Sequence, residues 1–166
     1  LQMGRIEYVP ETVVLSEVVE NVVMLLQEAS KVKGISIVSE VDNSTLVEGD
    51  FNMLFTILRN LVSNAIKFTN EKGTITIRSS ISQNKVFVGV RDTGIGMPDE
   101  IKNRLFKIEE KILSKGTAGE SGTGLGLILC KEFVEKHGGK IHVDTKVNEG
   151  TEFYFDLKLS QENNSN

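Results

Sequence analysis

The stretch DFNMLFTILRNLVSNAIKFT, residues 50–69, decides the centre of the fold. Its apolar side chains recur so densely that almost every face is apolar, which predicts a buried helix rather than a surface one. Asp50 is a good N-cap for a helix that ends at about Phe68. The apolar positions are Met53, Leu54, Ile57, Leu58, Leu61, Val62, Ala65 and Ile66.

Three polar side chains interrupt this apolar surface. Asn60, Asn64 and Lys67 stand at i, i+4 and i+7 and so share one face. Because a buried amide without a partner costs about 1–3 kcal/mol, these groups must have partners or open onto a cleft. They could be satisfied core asparagines beside a lysine that extends to the surface. Alternatively, asparagine oxygens bind Mg²⁺ and the lysine faces phosphates.

A first glycine segment, RDTGIGM, occupies residues 91–97. The preceding residues alternate as a strand and place Asp92 at its end, and glycine at 94 and 96 permits positive φ and a sharp turn. A carboxylate beside bare backbone can accept a hydrogen bond from the exocyclic amine of adenine, whereas the guanine carbonyl would be repelled. Asp92 could equally cap its own backbone in an ordinary turn.

A second glycine segment, GTGLGL, occupies residues 122–127 and leads into a helix that we expect to run from about Gly124 to His137. Closely approachable amides at a helix N-terminus form a phosphate site, although a flexible hinge would use the same residues. Residues 107–121 show no sustained pattern, which indicates a mobile loop between the two glycine segments.

The remaining patterns predict an α+β fold, a two-layer sandwich with a mixed sheet of about five strands and about three helices on one face. A first helix contains Leu15 and ends before Gly34, and a short helix begins at Pro98. The predicted strands are ISIVSEV (35–41), a hairpin formed by residues 73–82 and 85–92, and a closing hairpin formed by residues 139–147 and 150–159.

Composition excludes several classes of protein. The chain has 166 residues, one domain by size, and its net charge of −4 gives no non-specific nucleic-acid surface. Cys130, the single cysteine, excludes an internal disulfide. Neither a P-loop nor a dinucleotide fingerprint is present.

In combination, the motifs resemble those of the ATP-binding catalytic domain of bacterial sensor histidine kinases, in the superfamily that also includes Hsp90, type II topoisomerases and MutL. NLVSNAIKFT (60–69) resembles the asparagine box of that family and DTGIG (92–96) its first glycine box. GTGLGL (122–127) resembles the second glycine box, and EGTEFYFDL (149–157) the closing strand.

The resemblance implies a role for each matching residue. Asn64 would be the magnesium ligand and, with Lys67, would act in catalysis. Residues 107–121 would form a lid over ATP, in which Glu109 replaces the second of two phenylalanines usual in the family. The ATP-binding residues implied are Asn60, Asn64, Lys67, Phe68, Asp92, Ile95, Gly96, Gly122, Gly124, Leu125, Gly126, Leu127 and Thr151.

The activity implied is transfer of the γ-phosphoryl group of ATP, with magnesium, to a histidine on a separate dimerisation domain of the parent protein. A response regulator receiver domain would take the group next, and no nucleic acid is involved. An alternative is an ATPase switch or a nucleotide-sensing module without kinase activity. His137 and His142 have patterns typical of structural residues, His137 as a cation at a helix end.

The same resemblance implies a domain organisation. Residues 1–10 would end a dimerisation helix and its junction, residues 11–160 would form the catalytic domain, and residues 161–166 would be a disordered tail. The fragment would be a monomer, unable to phosphorylate itself, and the parent a homodimer. The domain would lie on the cytoplasmic side, with the parent anchored in the bacterial inner membrane.

Overall fold

A seven-stranded mixed sheet forms one layer of the protein. The computed structural model describes residues 6–107, 117 and 125–164. The strands lie in the order β1-β3-β7-β5-β4-β2, and β6 pairs with β7 on the same edge as β3. All pairings are antiparallel except β2 with β4. The strands are β1 (Glu11–Val14), β2 (Ser36–Glu40), β3 (Leu46–Gly49), β4 (Thr74–Ser82), β5 (Lys85–Asp92), β6 (Ile141–Lys146) and β7 (Gly150–Leu159).

Helices form the second layer. α2 contacts both α1 and α4, and its apolar side chains meet the inward residues of β4 and β5. Leu54, Ile57 and Leu58 are fully buried, which confirms the buried helix predicted from its apolar pattern. The helices are α1 (Leu15–Val32), α2 (Phe51–Phe68), α3 (Asp99–Lys102) and α4 (Gly126–Lys136).

Two local predictions are confirmed by backbone geometry. Asp50 is the N-cap of α2, and its Oδ1 accepts a hydrogen bond from the Met53 amide at 3.1 Å. Gln83 and Asn84 have φ of 53° and 62°, as a two-residue hairpin turn requires. The turn therefore sets the register of β4 and β5 up to the Ile75–Asp92 pair.

The predicted strand number was wrong, because the sheet has seven strands rather than five. The two additional strands, β1 and β3, have four residues each and pair with one another. Four residues are too few to show a period of two against the helical patterns on either side. α3 begins at Asp99, one residue after the predicted start, and Pro98 is its N-cap.

The segment before β1 is attached to the helical layer. The Val9 amide donates to Asp50 Oδ2 at 3.0 Å, and the Tyr8 ring meets the His137 ring edge-on, with centroids 4.7 Å apart. At the other end, Gln161–Asn164 form a short 3₁₀ helix. Residues 1–5 and 165–166 lie outside the described part of the chain.

Candidate nucleotide-binding site

Asp92 ends β5 in a buried position. Its Oδ1 accepts hydrogen bonds from the amides of Gly94, at 2.9 Å, and Thr151, at 3.1 Å. Its Oδ2 accepts no hydrogen bond from any described residue and is not fully enclosed. Burial raises the pKa of the carboxyl above its ordinary value, and the two amide hydrogen bonds partly oppose that shift. One oxygen thus caps the turn and the other remains available.

Gly94 lies directly against the C-terminal end of α2. A methyl group at position 94 would collide with the Phe68 carbonyl oxygen, to which the Ile95 amide donates at 3.1 Å. Glycine permits positive φ at both 94 and 96, and of the two only Gly96 has it, at +66°. Gly94 is required because the backbone of the turn lies against the Phe68 carbonyl with no room for a side chain. This backbone contact joins the Asp92 turn to the end of α2.

β6 and β7 support the turn from its other side. Thr145 Oγ1 accepts a hydrogen bond from the Met97 amide at 2.9 Å and lies 2.8 Å from Thr151 Oγ1. The Ile95 carbonyl accepts from the Asn148 amide at 2.8 Å, and its side chain is exposed. The turn is therefore held on both sides while Ile95 faces outward.

The polar face of α2 divides into two parts. Asn60 Nδ2 donates to the Gly126 carbonyl at 3.3 Å, so this amide ties α2 to the start of α4. The side chain of Asn64, one turn later, is half-buried and makes no hydrogen bond within residues 6–107, 117 and 125–164. Lys67 Nζ lies 4.9 Å from the centroid of the Phe68 ring. Asn60 thus has one of its donors bound within the fold, and Asn64 and Lys67 are side chains of this face for which a ligand could supply partners.

The start of α4 adjoins this face. Its N-cap is Leu125, and Gly126 and Leu127 form the first helical residues, both half-buried. The amides at a helix start have no intrahelical partner, which suits an anion. Gly122 and Gly124, Glu109 and most of the predicted lid lie outside the described residues.

Lys33, which no pattern in the sequence selects, fixes the end of α2. The residue is buried, and its Nζ donates to the carbonyls of Ile66, at 2.8 Å, and Lys67, at 3.2 Å, and to Thr117 Oγ1 at 2.5 Å. A cation suits the C-terminal carbonyls of a helix. Lys33 therefore positions the turn of α2 that carries Lys67.

Replacing Lys33 by methionine should lower the free energy of unfolding by about 2–3 kcal/mol, because buried carbonyls lose a charged donor. Urea unfolding without nucleotide would measure it. Lys31→Met on the exposed side of α1 is the matched control and should change stability by less than about 0.5 kcal/mol. Equal effects of the two substitutions would contradict the role of Lys33.

Both histidines contact other side chains or backbone of the fold, but His137 is not the cation that its position suggested. Its Nδ1 lies 2.7 Å from the Phe133 carbonyl oxygen, and its Nε2 accepts from the Asp50 amide at 3.1 Å. Burial lowers the pKa of the ring, so it is neutral at pH 7. His142 stacks on Tyr154, with centroids 5.1 Å apart.

None of the helices that the structure describes is long and apolar enough to cross a membrane.

Comparison with known proteins gives consistent matches. The family described as "Histidine kinase-, DNA gyrase B-, and HSP90-like ATPase" matches residues 49–161. Sensor protein GacS of Pseudomonas syringae pv. syringae is 37% identical over 152 residues, which is 87% of this chain and 17% of that protein. The chain thus spans about a sixth of the length of this relative.

Comparison with solved structures leads to the same family. The catalytic domain of histidine kinase ThkA, in a nucleotide-free form, has a TM-score of 0.78 at 32% identity, covering 91% of this chain and 98% of that one. ThkA in complex with the response regulator protein TrrA has a TM-score of 0.74 at 30% identity, covering 93% of this chain and 43% of that one. With the turn at Asp92, the polar face of α2 and the start of α4 assembled as described, the chain belongs to the histidine kinase-, DNA gyrase B-, and HSP90-like ATPase family, as a catalytic domain of the sensor histidine kinase type.

Proposed function

We propose that this domain binds ATP with magnesium and transfers the γ-phosphoryl group to a histidine on a separate domain of its parent protein. The observation that carries the proposal is Asp92, a buried carboxylate with one oxygen committed to its own turn and the other available. The committed oxygen, Oδ1, lies beside Gly94, which has no side chain to cover the carboxylate.

The base of the nucleotide would bind at this turn. The available oxygen of Asp92 can accept a hydrogen bond from the exocyclic amine of adenine, while the guanine carbonyl, also an acceptor, would be repelled. Phe68 and the outward-facing Ile95 adjoin the turn and supply apolar surface for a planar ring. This arrangement favours ATP over GTP.

The phosphates would lie toward the start of α4. Lys67 follows Asn64 by almost one turn of α2, and Asn60 joins that face to Gly126. A lysine and the amides of a helix start are both suited to a polyphosphate. Asp92 lies at the C-terminal end of α2, whereas Asn60 lies nearer the middle of that helix, beside the start of α4. The base would therefore bind at one end of the site and the phosphates at the other.

Asn64 fits a magnesium ligand. It is a half-buried amide whose side chain has no hydrogen-bond partner in the described part of the chain, and those residues contain no group of three or more His, Cys, Asp or Glu that could hold a metal ion. One protein oxygen would be enough, because water and phosphate oxygens would supply the other ligands of the cation. Bound there, magnesium would neutralise charge on the phosphates.

In the transfer step, the bond between the γ-phosphorus and the bridging oxygen of ATP would break, with ADP as leaving group, and a bond would form between that phosphorus and an imidazole nitrogen. The N–H proton of the other ring nitrogen would then pass to solvent. Neutral imidazole already has a lone pair, so this chain need not supply a general base. Positioning by Asp92 and charge neutralisation by Lys67 would provide most of the catalysis. His137, with both ring nitrogens in hydrogen bonds and 2% exposure, is unsuited as acceptor.

The proposed partners follow from this chemistry. The acceptor histidine belongs to a dimerisation domain of a homodimeric parent, and residues 1–10 belong to its junction with residues 11–160. A response regulator would receive the phosphoryl group next, which the complex of ThkA with TrrA supports. We also place the domain on the cytoplasmic side of a membrane-anchored parent.

Replacing Asn64 by alanine should weaken ATP binding about tenfold when magnesium is present and about twofold at most when it is chelated, because the amide oxygen binds the cation. Calorimetry under both conditions measures the difference. Ser63→Ala, on the exposed side of the same turn, is the control. Equal losses with and without magnesium would contradict the assignment.

Phosphotransfer tests the function itself. The domain, radiolabelled ATP and a separately produced dimerisation domain of the parent should give acid-labile label on that domain's histidine, and the domain alone should give none. Release of inorganic phosphate without label on the acceptor would indicate an ATPase switch and overturn the kinase assignment. Failure to bind ATP would overturn the proposal as a whole.

A further inference from the structure

Three polar side chains stand in one row across the end of the sheet. Thr145 on β6 pairs with Thr151 on β7, and Thr151 pairs in turn with Asp92 on β5. The side chains of directly opposed residues lie on the same face of a sheet. Val90 and Phe153, two residues away on β5 and β7, belong to the buried core, so this polar row lies on the inner face, toward the helices.

Hydrogen bonds connect the polar row from one end to the other. The Thr151 amide donates to Asp92 Oδ1 at 3.1 Å, and the hydroxyl oxygens of Thr145 and Thr151 lie 2.8 Å apart. Thr145 Oγ1 also accepts from the Met97 amide at 2.9 Å and donates to the Gly150 carbonyl at 3.3 Å. A hydroxyl has one proton and two lone pairs, so Thr145 satisfies all three contacts when Thr151 is the donor between the two hydroxyls.

These contacts hold the Asp92 turn at both of its ends. The polar row binds the carboxylate where the turn begins, and Thr145 binds the amide of Met97, the last residue of the glycine segment. Between these points the turn lies directly against the end of β6, since a β-carbon at Gly96 would collide with the Lys146 carbonyl oxygen. Thr145 therefore connects the start and the end of the turn through a single side chain.

We propose that Thr145 is a positioning residue of the nucleotide site, whose hydroxyl fixes the orientation in which the Asp92 carboxylate meets the base. This inference rests on the proposed function, in which the available oxygen of Asp92 accepts from the amine of adenine. Thr145 acts through Thr151 and Met97 rather than on the nucleotide itself. Because a hydrogen bond weakens steeply as its angle departs from linear, a carboxylate on a turn that can shift recognises the base less well.

The test replaces Thr145 by valine, which keeps the branched shape favoured in a strand and removes the hydroxyl. We expect about tenfold weaker binding of both ATP and ADP by calorimetry well below the melting temperature, because the two nucleotides share the base. The ratio of ATP affinity to GTP affinity should shrink as well. A purely structural residue would lower the melting temperature but leave that ratio unchanged.

Two single variants serve as controls. Thr145→Ser keeps the hydroxyl and should restore ATP affinity to within about twofold of wild type. Thr76→Val makes the same chemical change as Thr145→Val, at a half-buried strand position on the opposite face of the sheet, and should leave affinity unchanged.

Double variants test the route by which Thr145 acts. In an Asp92→Asn background the carboxylate is already gone, so adding Thr145→Val should weaken ATP binding by only about twofold at most. In an Asn64→Ala background, which alters the proposed magnesium ligand instead, Thr145→Val should keep its full effect of about tenfold.

The outcomes separate this inference from the function on which it rests. Wild-type protein that binds ATP, with Thr145→Val binding it equally well, would overturn the role of Thr145 and leave the proposed function intact. An undiminished loss in the Asp92→Asn background would also overturn it, because the effect would then not pass through the carboxylate. Wild-type protein that does not bind ATP would overturn both.

Discussion

Replacing Asp92 by asparagine is expected to weaken ATP binding by about 1–3 kcal/mol while the fold remains intact. The new amide oxygen can still accept from Gly94 and Thr151, as Oδ1 does now. The amide nitrogen would take the place of Oδ2 and present N–H groups to the amine of adenine, so that two donors face each other. Calorimetric titration with ATP measures the loss.

The ratio of ATP affinity to GTP affinity is a second measurement that tests Asp92→Asn. An asparagine amide can donate to the guanine carbonyl, so the preference for ATP over GTP should shrink in Asp92→Asn. Asp144→Asn, an exposed carboxylate on β6, is the matched control and should leave both affinities unchanged. An unchanged ATP affinity in Asp92→Asn would rule out the adenine contact.

The pH dependence of ATP binding should differ between the wild type and Asp92→Asn. Burial raises the pKa of Asp92, so its carboxylate is protonated, and its acceptor oxygen lost, at a higher pH than for an exposed aspartate. ATP affinity of the wild type should therefore begin to fall on acidification above the ordinary aspartate range. Asp92→Asn has no carboxyl at this position and should lack that part of the profile.

Replacing Gly94 by alanine is expected to lower the free energy of unfolding by about 2–3 kcal/mol and to weaken ATP binding as well. The new methyl group would collide with the Phe68 carbonyl oxygen and lie 2.9 Å from Asp92 Oδ1. The turn would have to move away from α2, which would break the hydrogen bond from Ile95 to Phe68. Urea unfolding without nucleotide measures the loss of stability.

Gly126→Ala is the matched control for stability, since position 126 belongs to the other glycine segment. A methyl group there would meet Asn60 at 3.5 Å, an ordinary contact, and alanine is favoured over glycine within a helix by about 1 kcal/mol. It should leave the fold equally or more stable. Equal free energies of unfolding for Gly94→Ala and Gly126→Ala would contradict the collision expected at position 94.

The elements with a strong repeating pattern were predictable from the chain alone. α2 has apolar side chains nearly all round and a good N-cap, and both features act within the helix itself. The short strands β1 and β3 carry no such local signal, because each is specified by pairing with a strand distant in the sequence.

The same distinction applies to the site. Asp92 and Gly96 were selected from their own motif, whereas nothing near Lys33 in the sequence indicates what it contacts. Lys33 Nζ binds a carbonyl 33 residues further along, and this contact exists only when the surrounding backbone is in place. Long-range contacts of this kind depend on packing rather than on local pattern.

The contact between Val9 and the N-cap of α2 also limits how strongly the entering chain can influence the nucleotide. One end of α2 binds that segment through Asp50, and the other end carries Lys67 and Phe68. An N-cap stabilises a helix by about 1 kcal/mol, which corresponds to about a fivefold change in an equilibrium constant. If movement of the preceding chain disturbed this N-cap, nucleotide affinity would change by about fivefold on that scale, and much stronger control would have to act elsewhere.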